Sequence, residues 1–123
     1  MPTIFVIDDD PDVLKVTLDL FTRHGYEAVG ASNGLDAIRI LSKVRPHLII
    51  TDIVMPQMDG YKFLKKLKEM PLTAAIPILV ITGKGKHMAD SFETLGIEGF
   101  MTKPFSAKQL LTQVEQILEG KDI

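Results

Sequence analysis

Leu48-Ile-Ile-Thr-Asp-Ile-Val-Met-Pro-Gln-Met-Asp-Gly60 decides how this chain folds. Its first four residues, Leu48 to Thr51, are apolar or β-branched, the pattern of a short strand buried on both faces. Asp52 follows at the strand's C-terminal end, and Met55-Pro56 and Asp59-Gly60 then turn the chain. A carboxylate leaving a buried strand loses hydration unless something compensates it. A lone Asp at such a place reads as a helix cap or a turn residue. Asp52 is not alone, because strand ends elsewhere in the chain carry charged groups too.

Upstream, Thr3-Ile-Phe-Val-Ile7 is a second apolar run, followed at once by Asp8-Asp9-Asp10-Pro11-Asp12. Pro11 suits the first helical position and Asp10 the N-cap before it. Val13, Leu14, Val16, Leu18, Leu20 and Phe21 give that helix a broad apolar face, and His24-Gly25 ends it. Tyr26 to Ala31 is a strand candidate. Ser32-Asn33-Gly34 opens a second helix with Ala37, Ile38 and Leu41 at inward spacing, stopped by Arg45-Pro46.

Downstream, Tyr61, Phe63, Leu64 and Leu67 stripe a third helix that closes before Met70-Pro71. Pro77 to Ile81 is another buried strand, ending in Thr82-Gly83. Met88, Phe92 and Leu95 fit a fourth helix whose entry Gly83 and Gly85 weaken. Gly99 to Thr102 is a brief strand leading into Lys103-Pro104-Phe105. Ser106-Ala-Lys-Gln109 is a capping box for a last helix with the face Leu110, Leu111, Val114, Ile117 and Leu118.

Five alternations of strand and helix predict a parallel sheet with helices on both faces, joined by right-handed crossovers. In such sheets the groups that do chemistry gather beyond the carboxyl ends of the strands. Those ends carry Asp8 and Asp9, Asp52, Thr82 and Lys103. One crevice should therefore hold acids, a hydroxyl and an ammonium drawn from four separate places.

Composition narrows what that crevice can do. The 123 residues suit one domain, with no output domain expected after the last helix. The chain has no cysteine, which removes disulfides and thiolate metal sites. A net charge of −2 gives no electrostatic footprint for nucleic acid. No apolar run approaches the roughly 20 residues of a membrane span, and the N-terminus lacks a signal-peptide pattern, so a cytoplasmic setting is expected.

Acids crowded at one strand mouth repel each other, by on the order of 4 kcal/mol for a pair about 4 Å apart at an effective dielectric near 20. Either some stay protonated or a cation neutralises them. With oxygen ligands only, magnesium or manganese is favoured over zinc. Asp8-x-Asp10-x-Asp12 looks like the start of a calcium loop, but Val13 stands where that loop needs Gly, and a strand precedes it. Taken singly, Lys103 reads as a surface lysine and Thr82 as a cap before Gly83. Pro104 argues otherwise for Lys103, since it fixes the chain direction just where the ammonium leaves the strand.

These residues together resemble the motifs of response-regulator receiver domains of two-component signalling. The resemblance rests on Val6-Ile-Asp-Asp9, Thr51 to Gly60, Ile81-Thr82 and Lys103-Pro-Phe105, and it spans the whole chain. It implies a flavodoxin-like three-layer α/β sandwich, with a five-stranded parallel sheet of order 2-1-3-4-5 and five helices. It implies Asp52 as the phosphate acceptor. Mg²⁺ would be held by Asp9, Asp52 and the carbonyl of Val54, with Asp8 contacting it mainly through water. Lys103 would pair with phosphoryl oxygens, Thr82 would hydrogen-bond to one, and Phe100 would be the aromatic switch residue. The phosphoryl donor would be a histidine kinase or phosphotransfer protein, and the signal would pass by protein contact to a downstream protein. Such a receiver is not an enzyme in the ordinary sense, but it assists its own phosphorylation and dephosphorylation.

Lys103 must also turn back across the strand ends toward Asp52. A cis Lys103-Pro104 bond would reverse the chain tightly at a cost of only about 0.5–1 kcal/mol, and the resemblance points the same way. Three positions depart from the family pattern, all around the fourth helix: Gly83 and Ile97 where Ala is common, and a Thr82–Lys103 interval one residue shorter than usual.

Two other functions fit the pattern less well. A haloacid-dehalogenase-type phosphatase also uses a strand-end Asp with Mg²⁺, but it needs a second acid two residues on, where Val54 stands. A flavin binder would need a hydroxyl-rich phosphate loop after the first strand, where Asp8-Asp9-Asp10 would repel the phosphate.

Overall fold

The computed structural model describes residues 2–52, 54–55, 58–83 and 96–121. In chain order its elements are β1 (Thr3–Ile7), α1 (Pro11–Arg23), β2 (Glu27–Ala31), α2 (Gly34–Leu41), β3 (Leu48–Asp52), β4 (Val54–Met55), β5 (Met58–Asp59), α3 (Gly60–Glu69), β6 (Ile78–Thr82), β7 (Gly99–Thr102) and α4 (Ala107–Lys121). Five strands form one sheet in the order β2-β1-β3-β6-β7, every pair parallel. With β4 and β5 set aside as a two-residue antiparallel ribbon, this is the expected 2-1-3-4-5 order.

Side chains alternate along a strand, and the two halves of each alternation build two separate cores. Phe5, Ile7, Ile49, Ile78 and Val80 point to one face and pack with Ala37 and Leu41 of α2 and Phe63, Leu64 and Leu67 of α3. Ile4, Val6, Leu48, Ile50, Leu79 and Ile81 point to the other and pack with Phe21 of α1 and Leu110 and Val114 of α4. Strands covered on both sides have no place for a polar alternation, which is why β1, β3 and β6 read as continuous apolar runs. Each fully buried Phe or Leu contributes roughly 1.5–3 kcal/mol. No helix among the described residues is long and apolar enough to cross a membrane.

The helix ends follow local chemistry. The Asp10 carboxylate accepts the amides of Asp12 and Val13 with Pro11 at the first helical position, and Gly25 closes α1 at φ +87°. The Asn33 side chain accepts the Asp36 amide at 2.8 Å. The capping box of α4 is reciprocal: the Ser106 amide donates to Gln109 Oε1, and the Gln109 amide to Ser106 Oγ.

Four details differ from the sequence reading. Val16 is 67% exposed; Thr17 takes the inward place and spends its hydroxyl on the Val13 carbonyl at 2.7 Å. The second strand begins at Glu27 rather than Tyr26, whose ring instead packs edge-on against Phe21. α2 ends at Leu41, before Arg45-Pro46, because Ser42 and Arg45 side chains take up the carbonyls of Arg39 and Leu41. The described residues contain four helices where five are expected; the helix expected around Met88, Phe92 and Leu95 lies outside the described residues.

Candidate functional site

The strand registers bring the charged residues to one end of the sheet. Ile7 lies opposite Thr51, so Asp8 and Asp52 emerge side by side at the next position. Asp52 lies opposite Ile81, one residue before Thr82. Thr82 lies opposite Thr102, one residue before Lys103. Parallel pairing thus places Asp8, Asp52, Thr82 and Lys103 along the carboxyl edge of four neighbouring strands.

Lys103 turns back over that edge across a cis Lys103-Pro104 peptide, as expected. Its backbone amide donates to the Thr82 carbonyl at 2.9 Å, anchoring the chain where it leaves β7. Its ammonium reaches Asp52 Oδ2 at 2.9 Å and Asp8 Oδ2 at 3.2 Å. Asp8, Asp52 and Thr82 are buried, whereas Asp9 is exposed. Asp8 Oδ1 accepts the Asp10 amide at 2.9 Å, which folds the loop after β1 into a tight turn and leads into the Asp10 cap of α1.

Electrostatics of the crevice follow from burial. Desolvation raises the Asp8 carboxyl above its ordinary value of 3.8; the Asp10 amide and the Lys103 charge pull the other way without offsetting it, and Asp52 adds to the rise. For Lys103, desolvation lowers the ammonium, but the hydrogen bond and charge of Asp52, with those of Asp8, outweigh it and leave it above 10.5.

One carboxylate oxygen each from Asp8, Asp9 and Asp52 lie within 4.8 Å of one another. Among the described residues the Lys103 ammonium faces these three carboxylates, so acids outnumber it. The donor atoms are all oxygen, and one side of the group is open to water through Asp9. This set fits a hard divalent cation such as Mg²⁺, which keeps part of its hydration shell.

Val54 lies two residues past Asp52, in β4 opposite Asp59. Thr82 is the last residue of β6 and fully buried. Phe100 sits in β7 opposite Val80, half-buried against the core beneath α2 and α3. Two features were not anticipated: Lys103 bridges Asp8 as well as Asp52, and the buried Thr51 hydroxyl donates to the Asp52 carbonyl at 2.8 Å. The Asp8-x-Asp10 spacing carried a signal for the tight turn, since an Asp side chain readily takes an amide two residues on. A strand-end threonine carries none, because β-branching alone explains it.

Residues 4–115 match the family described as response regulator receiver domain. The chain is 31% identical over 127 residues to the DNA-binding dual master transcriptional regulator RpaA of Synechocystis, covering 99% of this chain and 51% of that protein. It is 27% identical to Protein PilH of Pseudomonas aeruginosa, covering 98% of this chain and 100% of that protein. The chain spans about half the length of the transcriptional regulators it matches. Among solved structures, the Vibrio cholerae chemotaxis protein CheY4 superimposes with a TM-score of 0.89 at 26% identity, covering 94% of this chain and 98% of that one.

Proposed function

The chain belongs to the response regulator receiver domain family of two-component signalling, and from that premise we propose that Asp52 is its phosphoryl acceptor. The observation that carries the proposal is the Lys103 ammonium held 2.9 Å from a buried strand-end carboxylate within an all-oxygen acidic cluster. The donor is a histidine kinase or a phosphotransfer protein. An Asp52 carboxylate oxygen attacks phosphorus in line; a new P–O bond forms as the bond to the donor breaks, and the donor keeps that electron pair.

The other residues align and neutralise. Lys103, already seated between Asp8 and Asp52, meets the incoming phosphoryl oxygens. Asp9, Asp52 and the Val54 carbonyl would hold Mg²⁺ or Mn²⁺, with Asp8 beside them as an outer partner of the cation. When bound, the cation supplies charge neutralisation to the acids and the phosphoryl group. Thr82 hydrogen-bonds to a phosphoryl oxygen, and Phe100 responds to its movement. The acyl phosphate adds roughly 1.5–2 negative charges, enough to re-aim a hydroxyl and a nearby loop. The same groups assist dephosphorylation.

In this reading residues 1–123 form one receiver unit in the cytoplasm. The unit signals by protein contact rather than by touching nucleic acid. The phosphatase alternative finds no support, since Val54 occupies the place of its leaving-group acid. Incubation with acetyl phosphate and Mg²⁺, followed by intact mass, tests the acceptor. One phosphoryl group is expected on the native chain and none on Asp52→Asn; full labelling of that variant would remove Asp52 from the role.

A further inference from the structure

We propose that Thr51 is a positioning residue for the acceptor: its buried hydroxyl holds the Asp52 main-chain carbonyl, and so sets how Asp52 and the residues after it leave β3. The inference rests on the reading of Asp52 as acceptor. Thr51 is fully buried, and its partners across the sheet are Ile7 and Val80, both members of the apolar core beneath α2 and α3. Two residues earlier on the same face, Ile49 fills the equivalent place with hydrocarbon alone. A hydroxyl in such surroundings is costly unless it is bonded. Thr51 Oγ1 donates to the Asp52 carbonyl at 2.8 Å.

The bond sits where the sheet stops constraining the chain. On the β1 side the last paired residue is Thr51, opposite Ile7; on the β6 side it is Asp52, opposite Ile81. Side chains alternate along β3, so the Thr51 hydroxyl approaches from the face opposite the Asp52 carboxylate. It therefore ties down the peptide after Asp52 from behind, without entering the crevice. In-line attack tolerates little misplacement, and a shift near 1 Å can lower a rate about 100-fold. Fixing this peptide also fixes the start of the segment that carries Val54.

Thr51→Val and Thr51→Ser separate positioning from packing. Val keeps the shape and loses the hydroxyl; Ser keeps the hydroxyl and loses a buried methyl. With acetyl phosphate and Mg²⁺, intact-mass labelling of Thr51→Val should slow by about 10- to 100-fold, while Thr51→Ser labels close to the native rate. Melting should order them the other way, with Thr51→Ser lower by a few degrees and Thr51→Val near native. In metal-free protein, the Val54 amide resonance should move in Thr51→Val and stay in Thr51→Ser. Native-rate labelling of Thr51→Val with an unmoved Val54 amide would overturn the proposal, as would slowing of both variants in step with lost stability. Failure of the native chain to take up phosphate would count against the acceptor reading instead, and the metal-free amide shifts would still decide whether Thr51 positions Asp52.

Discussion

Lys103 Nζ stands 2.9 Å from Asp52 Oδ2 across 51 positions of chain. The ammonium also reaches Asp8, so a single cation ties the ends of β1, β3 and β7 together. Asp8 and Asp52 are both under a tenth exposed, so their mutual repulsion is poorly screened without it.

Replacing this lysine should therefore affect chemistry and fold differently. Lys103→Gln is expected to slow acetyl-phosphate labelling by about 10-fold or more, the scale of losing one charged donor at a developing anion. Time-resolved intact mass measures it. A native rate would leave Lys103 with a structural role alone.

Asp9 is the exposed member of the acidic cluster, open to a hydrated cation. Asp9→Ala should weaken Mg²⁺ binding, read by titration calorimetry, and slow labelling at limiting metal. Unchanged Mg²⁺ affinity would place the cation elsewhere.

Asp8 should reveal a conflict between stability and function. Burial raises its pKa above 3.8 in the folded state, so the native chain holds that proton more tightly than the unfolded one. Its contribution to stability is full below pH 3.8 and is lost as pH rises through the folded value. Once the pH exceeds the folded value in the metal-free protein, the ionised Asp8 is thus a net cost. Asp8→Asn should raise the metal-free melting temperature by roughly a few degrees at pH 7, and the gain should shrink as pH falls toward 4. A gain independent of pH, or none, would contradict this.

The Asn33 cap tests local stability away from the site. Its side chain accepts the Asp36 amide at 2.8 Å, and Asn33→Ala should cost about 1 kcal/mol in urea unfolding. Labelling of Asp52 should be unaffected.

Period and punctuation in the sequence determined the layers and the placement of the site. Unbroken apolar runs at Ile4–Ile7, Leu48–Ile50 and Ile78–Ile81 mean strands covered on both faces, and the caps at Asp10, Asn33 and Ser106 mark where helices begin. Strand ends are local events, so Asp8, Asp52, Thr82 and Lys103 were legible as candidates before any contact was known. Tertiary structure decided what depends on relative position. Val16 and Thr17 both fit a helical face, and only the packing of α1 against the sheet turned Thr17 inward and left Val16 in water. Lys103 could have met either acid; the register of β1, β3 and β7 brought both within its reach. The Thr51 hydroxyl was invisible beforehand because β-branching suffices to explain a strand threonine, whereas its partner is set by where the pairing of β1 stops.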